Sequence, residues 1–134
     1  MIIKDVVLKR LRVPLIKPFK TALRTCTVAE DIVVMVIADT GEIGYGEAPP
    51  TTVITGDTNE SVVGVIENTI KNAIIGMDIT NIEGIMEKIN NSSVRNMSGK
   101  AAVDMAIYEL FGKYHKAPLY SLLGGSRKSV SSDI

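Results

Sequence analysis

The 134-residue sequence has no tryptophan, one cysteine and one histidine. A single cysteine excludes an intrachain disulfide and a zinc site built from several cysteines. A single histidine leaves almost no material for metal binding by imidazole or for a serine–histidine–aspartate relay. Because aromatic residues make up only 4% of the chain, we expect an aliphatic core.

The sequence has no excess of either charge, because its 15 Lys and Arg residues balance its 15 Asp and Glu residues. Nucleic-acid binders normally carry a basic excess, so this class of protein is disfavoured. No run approaches the ~18 consecutive apolar residues of a membrane-spanning helix. Residues 1–13 interleave charged and apolar side chains, unlike a signal peptide. We therefore expect a single-domain chain located in the cytoplasm.

The first third of the chain has the pattern of three β-strands. Residues 2–13 are rich in Ile, Val and Leu, and Pro14 is predicted to end this strand. Residues 26–37 alternate in polarity at first and then become apolar throughout, which predicts a strand buried on both faces at its end. A turn at 39–42 returns the chain into a third, antiparallel strand at 43–48.

Capping patterns then predict helices. Asp57 with Glu60 three residues later indicates a helix that ends at Gly76, and Thr80 with Glu83 indicates a second helix. 

Ser98 is a candidate cap for a third helix, which is apolar nearly all round to Tyr114 and is therefore expected to be central. A short helical turn is expected over 119–123. Strands followed by helices predict an α+β fold, with a three-stranded antiparallel meander covered by a helical bundle.

Two loops are candidate binding elements. Residues 17–24 contain three cations and no carboxylate. This segment is either a flap whose Arg24 binds a carboxylate through its planar guanidinium, or a solvated basic connection. Residues 51–56 form either an apolar wall over a ligand or a plain connector. Gly44 and Gly46 are expected to give a strand room for a close neighbour.

Residues able to run a reaction are missing. His115 has no identifiable partner base or nucleophile. Cys26 is at an alternating position of its strand together with Val28, which predicts a buried, unreactive thiol. The carboxylates are dispersed, without the spacing of a metal site. We therefore expect no catalytic residue and no metal ligand in this chain, which alone should be inactive.

Four segments together carry a family resemblance. They are KPFKTALR at 17–24, GYGEAPP at 44–50, KAAVDMAIYEL at 100–110 and APLYSLLGG at 117–125. With these segments the chain resembles the N-terminal capping domain of the enolase superfamily, in its muconate-lactonizing subgroup, and is most similar to the dipeptide epimerases of the L-Ala-D/L-Glu type.

The resemblance implies an isomerase of two domains. Residues 1–125 would be the α+β capping domain, and residues 126–134 would be a linker and the start of a (β/α) barrel domain outside this chain. In such enzymes two barrel lysines exchange the α-proton, while a Mg²⁺ held by three barrel carboxylates stabilises an enediolate. None of these barrel groups has a counterpart here, so the resemblance implies a magnesium enzyme whose fragment binds no cofactor.

The same resemblance implies which cap residues meet a small dipeptide substrate. Arg24 would bind the side-chain carboxylate of a C-terminal Glu, and Phe19, Thr21 and Ile54 would line the pocket. Because the face that packs on the barrel would be exposed in the isolated cap, we expect this chain to self-associate.

Two alternatives stay open at this point. The first is a cap of the same superfamily that serves a muconate cycloisomerase or an o-succinylbenzoate synthase, because barrel residues decide the reaction. The second is a stand-alone binding or oligomerisation module without catalysis.

Overall fold

Three antiparallel strands form one sheet at the start of the chain. A computed structural model describes residues 1–126 and 129–132. The strands are β1 (Ile3–Lys20), β2 (Thr25–Ala38) and β3 (Ile43–Ala48), and they lie in the order β1-β2-β3. The meander is therefore confirmed, and β1 is an edge strand.

The first strand is longer than the sequence indicated. Pro14 does not end it, because Pro14 still pairs with Val28, and after a register shift Phe19 pairs with Cys26. An edge strand tolerates proline, since one side of the strand needs no partner for its N–H groups. The prediction of a long loop over 17–24 is therefore wrong for its first half, and only residues 21–24 connect β1 to β2.

Helices follow the sheet, as predicted. The segments are α1 (Thr52–Thr55), α2 (Asn59–Val65), which continues through a π-helical stretch (Ile66–Ile70) into α3 (Lys71–Ile74), then α4 (Ile82–Asn90), α5 (Met97–Tyr114) and α6 (Leu119–Leu122). The α+β class is confirmed. None of the helices within 1–126 and 129–132 is long and apolar enough to cross a membrane.

The helix starts lie close to the predicted positions, but other residues cap them. Thr58 caps α2 in a reciprocal pair with Ser61, so the predicted pair of Asp57 and Glu60 is wrong. The Asn81 side chain, rather than Thr80, accepts from the backbone N–H at the start of α4. A hydroxyl or amide group one residue away from the predicted cap accepts from the free backbone N–H groups of the first helical turn. The capping pattern therefore located the helix starts correctly.

The third predicted helix corresponds to α5 and packs directly on β3. A Cβ atom on Gly44 would collide with the Ala106 carbonyl, and one on Gly46 would collide with the Ala102 carbonyl. The expectation that these glycines admit a close neighbour is confirmed. The first turn of α5 differs from the prediction that Ser98 caps it. Asn96 precedes the helix in a left-handed conformation, and the Ser98 hydroxyl donates to the Asp57 carboxylate.

The core is aliphatic, as expected. Among the described residues, nineteen buried apolar side chains, all of them from Ala, Val, Ile or Leu, form one cluster between the sheet and the helices. On β2 the buried residues are Ile32, Val34, Val36 and Ala38, whereas the intervening residues are half-buried. Burial of β2 on both faces was therefore overpredicted, because helices cover one face of the sheet. The predicted linker at 126–134 falls partly outside the described residues and stays a prediction.

Candidate ligand-binding cleft

Residues 21–24 form the tip of the β1–β2 hairpin, hereafter the hairpin tip. The Thr21 N–H donates to the Arg24 carbonyl at 2.8 Å, and the Thr21 hydroxyl donates to the same oxygen at 3.2 Å. The same hydroxyl accepts from the backbone N–H groups of Leu23 at 3.3 Å and Arg24 at 3.2 Å. The tip is thereby closed without a glycine or a proline.

Beside the hairpin tip lies a cleft of about 330 Å³ between the end of the hairpin and the segment that follows β3. Its walls are mostly apolar, with Arg24 as their cation. The lining residues are Leu15, Phe19, Arg24, Cys26, Val28, Ala29, Glu30, Asp31, Pro49, Pro50 and Thr51. A second, more polar cleft of about 380 Å³ also includes Arg24 and extends to the start of α2. Arg24 therefore borders both clefts.

Two carboxylates that line these clefts, those of Glu30 and Glu60, are paired with other arginines. Arg12 Nε lies 2.7 Å from Glu30 Oε1, and Arg10 Nη2 lies 3.2 Å from Glu60 Oε1. Among the residues that the structure describes, no salt bridge involves Arg24. A half-buried guanidinium without a carboxylate partner is suited to bind an anionic ligand group.

A carboxyl pair at the cleft was missed by the sequence analysis. Hydrogen bonding with Asp31, burial, and repulsion from Asp31 raise the pKa of Glu47. The strand register brings them together, because Glu47 pairs with Val33, two residues from Asp31 on the same face of β2. Counting outward from the turn at 39–42 would have revealed this proximity.

The segment at 51–56, hereafter the second loop, contains the helical turn α1. The Thr52 hydroxyl donates to the Asp57 carbonyl at 3.1 Å, and the Asp57 N–H donates to the Thr55 hydroxyl at 3.3 Å. The Asp57 carboxylate, on a residue only 6% exposed, accepts from the Ser98 hydroxyl at 2.9 Å. The second loop is thus anchored at its end to the start of α5.

The structure brings together some of the predicted site residues. Phe19 and Arg24 line the same cleft. Thr21 lies at the hairpin tip and is not among the lining residues, and Ile54 lies on α1 with 66% of its surface exposed. Binding roles for these four residues stay predictions.

The other candidate reactive groups have ordinary surroundings. Cys26 is half-buried in the cleft wall, and His115 ends α5 with its ring against Phe111 and Tyr114. Within the described part of the chain no three side chains of His, Cys, Asp or Glu are grouped so that they could hold a metal ion. The geometry supports ligand binding through Arg24.

Comparison with known proteins identifies the family. Residues 3–124 match the family model described as "Mandelate racemase / muconate lactonizing enzyme, N-terminal domain". The L-Ala-D/L-Glu epimerase of Clostridium acetobutylicum is 52% identical over 134 residues, which are all of this chain and 37% of that protein.

Solved structures show the same fold. A substrate-liganded complex of the L-Ala-D/L-Glu epimerase from Bacillus subtilis has a TM-score of 0.97 and 44% identity, covering 99% of this chain and 37% of that one. A dipeptide epimerase from Enterococcus faecalis, in complex with Mg and the dipeptide L-Leu-L-Tyr, has a TM-score of 0.94 and 38% identity, with the same coverage.

The chain thus spans little more than a third of the length of the relatives it matches. The matched family model describes an N-terminal domain. The chain belongs to the mandelate racemase / muconate lactonizing enzyme N-terminal domain family of the enolase superfamily.

Proposed function

We propose that this chain is the capping domain of a dipeptide epimerase, in which it selects the substrate while the rest of the protein inverts the α-carbon through an enediolate. Several relatives in the enolase superfamily are named as dipeptide epimerases. The observation that carries the proposal is the Arg24 guanidinium, which borders two clefts and has no salt bridge among the described residues.

Charge and shape together indicate the substrate class. Arg24 presents a planar donor group that binds a carboxylate through two parallel hydrogen bonds. Phe19, Leu15 and Val28 supply apolar walls in the same cleft. A ligand with a carboxylate on a short aliphatic stem fits both features, so we assign the side chain of a C-terminal Glu to this cleft. Thr21 and Ile54 would then act at its margin.

Magnesium enters the proposal through the relatives rather than through this chain. The Enterococcus faecalis structure contains Mg, whereas the described residues of this chain group no set of three metal-binding side chains. The residues present do not fit a magnesium site, so we assign the ion to the remaining two-thirds of the protein. Bound there, it would stabilise negative charge on the substrate.

We also propose that the chain self-associates when it stands alone. Leu23 in the hairpin tip and Val53 and Ile54 on α1 are each at least 59% exposed. Clusters of exposed apolar side chains usually mark a surface that binds another protein surface. In the full-length protein, our proposal places these loops against the barrel domain and the bound dipeptide.

Kinetics of the full-length protein test the role of Arg24. We expect Arg24→Ala to lower kcat/KM for L-Ala-L-Glu by roughly 10- to 100-fold, because a hydrogen-bonded charged partner is lost. L-Ala-L-Leu, which lacks the side-chain carboxylate, should change little. Arg24→Lys keeps the charge but not the planar donor pair. Its kcat/KM for L-Ala-L-Glu should therefore lie between the values of wild type and Arg24→Ala.

Lys20→Ala is the matched control, because it removes a cation of the same hairpin that does not line the cleft. Both substrates should be unaffected by it. Equal losses on both dipeptides in Arg24→Ala would reject the carboxylate-binding role. Absence of any epimerase activity in the unsubstituted full-length protein would reject the reaction class.

A further inference from the structure

We propose that Thr21 is a positioning residue, which fixes the hairpin tip that carries Arg24 and does not itself contact the ligand. The inference rests on the proposed function and deepens it, since it concerns how the carboxylate-binding group is held. It also changes the role that the family resemblance implied for Thr21, which was a place in the wall of the pocket.

The first argument is the hydrogen-bonding capacity of the Thr21 hydroxyl. A hydroxyl group has one donor and two acceptor positions. Here it donates to the Arg24 carbonyl at 3.2 Å and accepts from the backbone N–H groups of Leu23 and Arg24 at 3.3 Å and 3.2 Å. All three positions are used inside the tip, so none remains for a ligand.

The second argument is the composition of the tip. Tight turns usually rely on Gly, Pro, Asn or Asp, and residues 21–24 contain none of them. None of the four has a positive φ. The hydroxyl of Thr21 is therefore the side-chain group that closes this turn, together with the 2.8 Å hydrogen bond from the Thr21 N–H to the Arg24 carbonyl.

The third argument is that these hydrogen bonds converge on Arg24. Its N–H and its carbonyl oxygen both bind Thr21, which fixes the peptide groups on either side of the Arg24 Cα. Arginine loses considerable side-chain entropy when it binds a ligand, so a fixed backbone limits the further cost of ordering. Loss of the hydroxyl should weaken carboxylate binding without removing any ligand contact.

The test is a double-mutant cycle in the full-length protein. Thr21→Val removes the hydroxyl and keeps the shape of the side chain. We expect it to lower kcat/KM for L-Ala-L-Glu by about tenfold, mainly through KM, and to leave L-Ala-L-Leu unchanged. Thr21→Ser should retain wild-type kinetics. In the Arg24→Ala background, Thr21→Val should have no further effect, because the group it positions is gone.

Thr27→Val is the matched control, because Thr27 is an exposed threonine of the neighbouring strand that does not line the cleft. It should leave both substrates unaffected. Hydrogen exchange gives a readout independent of activity: Thr21→Val should accelerate exchange of the Leu23 and Arg24 amides, and Thr21→Ser should not.

The outcomes separate this inference from the proposed function. If Arg24→Ala loses selectivity but Thr21→Val has no effect, affects both dipeptides equally, or adds fully to Arg24→Ala, the positioning role is overturned and the proposed function stands. If Arg24→Ala itself shows no selective loss, the proposed function fails and the role of Thr21 in selectivity fails with it.

Discussion

Glu47 lies diagonally opposite Asp31 on the same face of β2 and β3, and Asp31 lines the cleft that contains Arg24. Two neighbouring carboxyl groups avoid full ionisation, so the pKa of Glu47 is raised by its hydrogen bond with Asp31, by burial and by repulsion. This relationship gives the stability of the domain a definite dependence on pH.

Glu47→Gln should make the free energy of unfolding less dependent on pH. A carboxyl whose pKa is raised by folding stabilises the native state most at low pH, and this contribution is lost as pH rises from its ordinary value of 4.5 through the folded value. Urea unfolding between about pH 4 and about pH 7 should show a smaller decline for Glu47→Gln than for wild type. Glu67→Gln, which removes an exposed carboxyl from the π-helical stretch, controls for charge. A decline identical to wild type would contradict the pairing.

Asp5 predicts the opposite dependence. Lys71 Nζ lies 2.6 Å from Asp5 Oδ1 and donates to the Val6 carbonyl at 2.9 Å. The hydrogen bond with Lys71 holds the pKa of Asp5 below its ordinary value of 3.8. This stabilisation is present above that value and is lost as pH falls through the folded pKa.

Asp5→Asn should therefore be less stable than wild type at neutral pH and should lose less stability on acidification. The difference should not exceed about 1 kcal/mol, because both side chains are partly exposed and water screens the pair. Urea titrations at neutral and acidic pH measure it. A larger acid sensitivity in Asp5→Asn would contradict the assignment.

The contact of β3 with α5 predicts that one added methyl group at Gly46 strongly destabilises the domain. A Cβ on Gly46 would collide with the backbone of Ala102, which cannot move aside as a flexible side chain would. Gly46→Ala should destabilise the domain by about 1–3 kcal/mol or more. Gly64→Ala is the control, because α2 leaves open space at that position and alanine favours a helix. Thermal unfolding should show a lower Tm for Gly46→Ala and a higher Tm for Gly64→Ala. Equal changes in Tm would refute the close approach of β3 to α5.

Asp57 and Ser98 predict a coupling between the second loop and α5. Asp57→Ala leaves the Ser98 hydroxyl without this acceptor at a part-buried site, and should cost about 1–3 kcal/mol. Ser98→Ala should also destabilise, and the double variant should cost less than the sum of the two. Fully additive losses in urea unfolding would show that the two side chains act independently.

Self-association gives a prediction for the 134-residue chain itself. Sedimentation velocity should show dimers or larger species that increase with concentration, because Leu23, Val53 and Ile54 are exposed. Replacing Val53 and Ile54 together by Ser should shift the distribution towards monomer. A wild-type chain that sediments as a monomer at high concentration would contradict the proposal.

The sequence specified the class of the fold well because its signals were local. Alternation in β2, the turn before Ile43 and the long apolar run of α5 each depend on neighbouring residues, and each element lies where the pattern placed it. The tight packing at Gly44 and Gly46 was also predictable, because a strand glycine has few other uses.

Features that depend on partners distant in sequence were less accessible. The continuation of β1 beyond Pro14 depends on its edge position, which only the whole sheet defines. Ser98 has the local features of a helix cap, yet its hydroxyl binds Asp57, 41 residues away. The hydrogen bonding of Thr21 inside the hairpin tip was likewise unpredictable, since the strand register decides where the tip lies.

The most direct measurement of the central claim compares α-proton exchange by the full-length protein and by this chain. Both are incubated in D₂O with L-Ala-L-Glu and Mg²⁺, after circular dichroism has established that the chain is folded. Deuterium should enter the α-carbon of the Glu residue only with the full-length protein. Exchange catalysed by the folded 134-residue chain alone would contradict the division between a selecting cap and a reactive remainder.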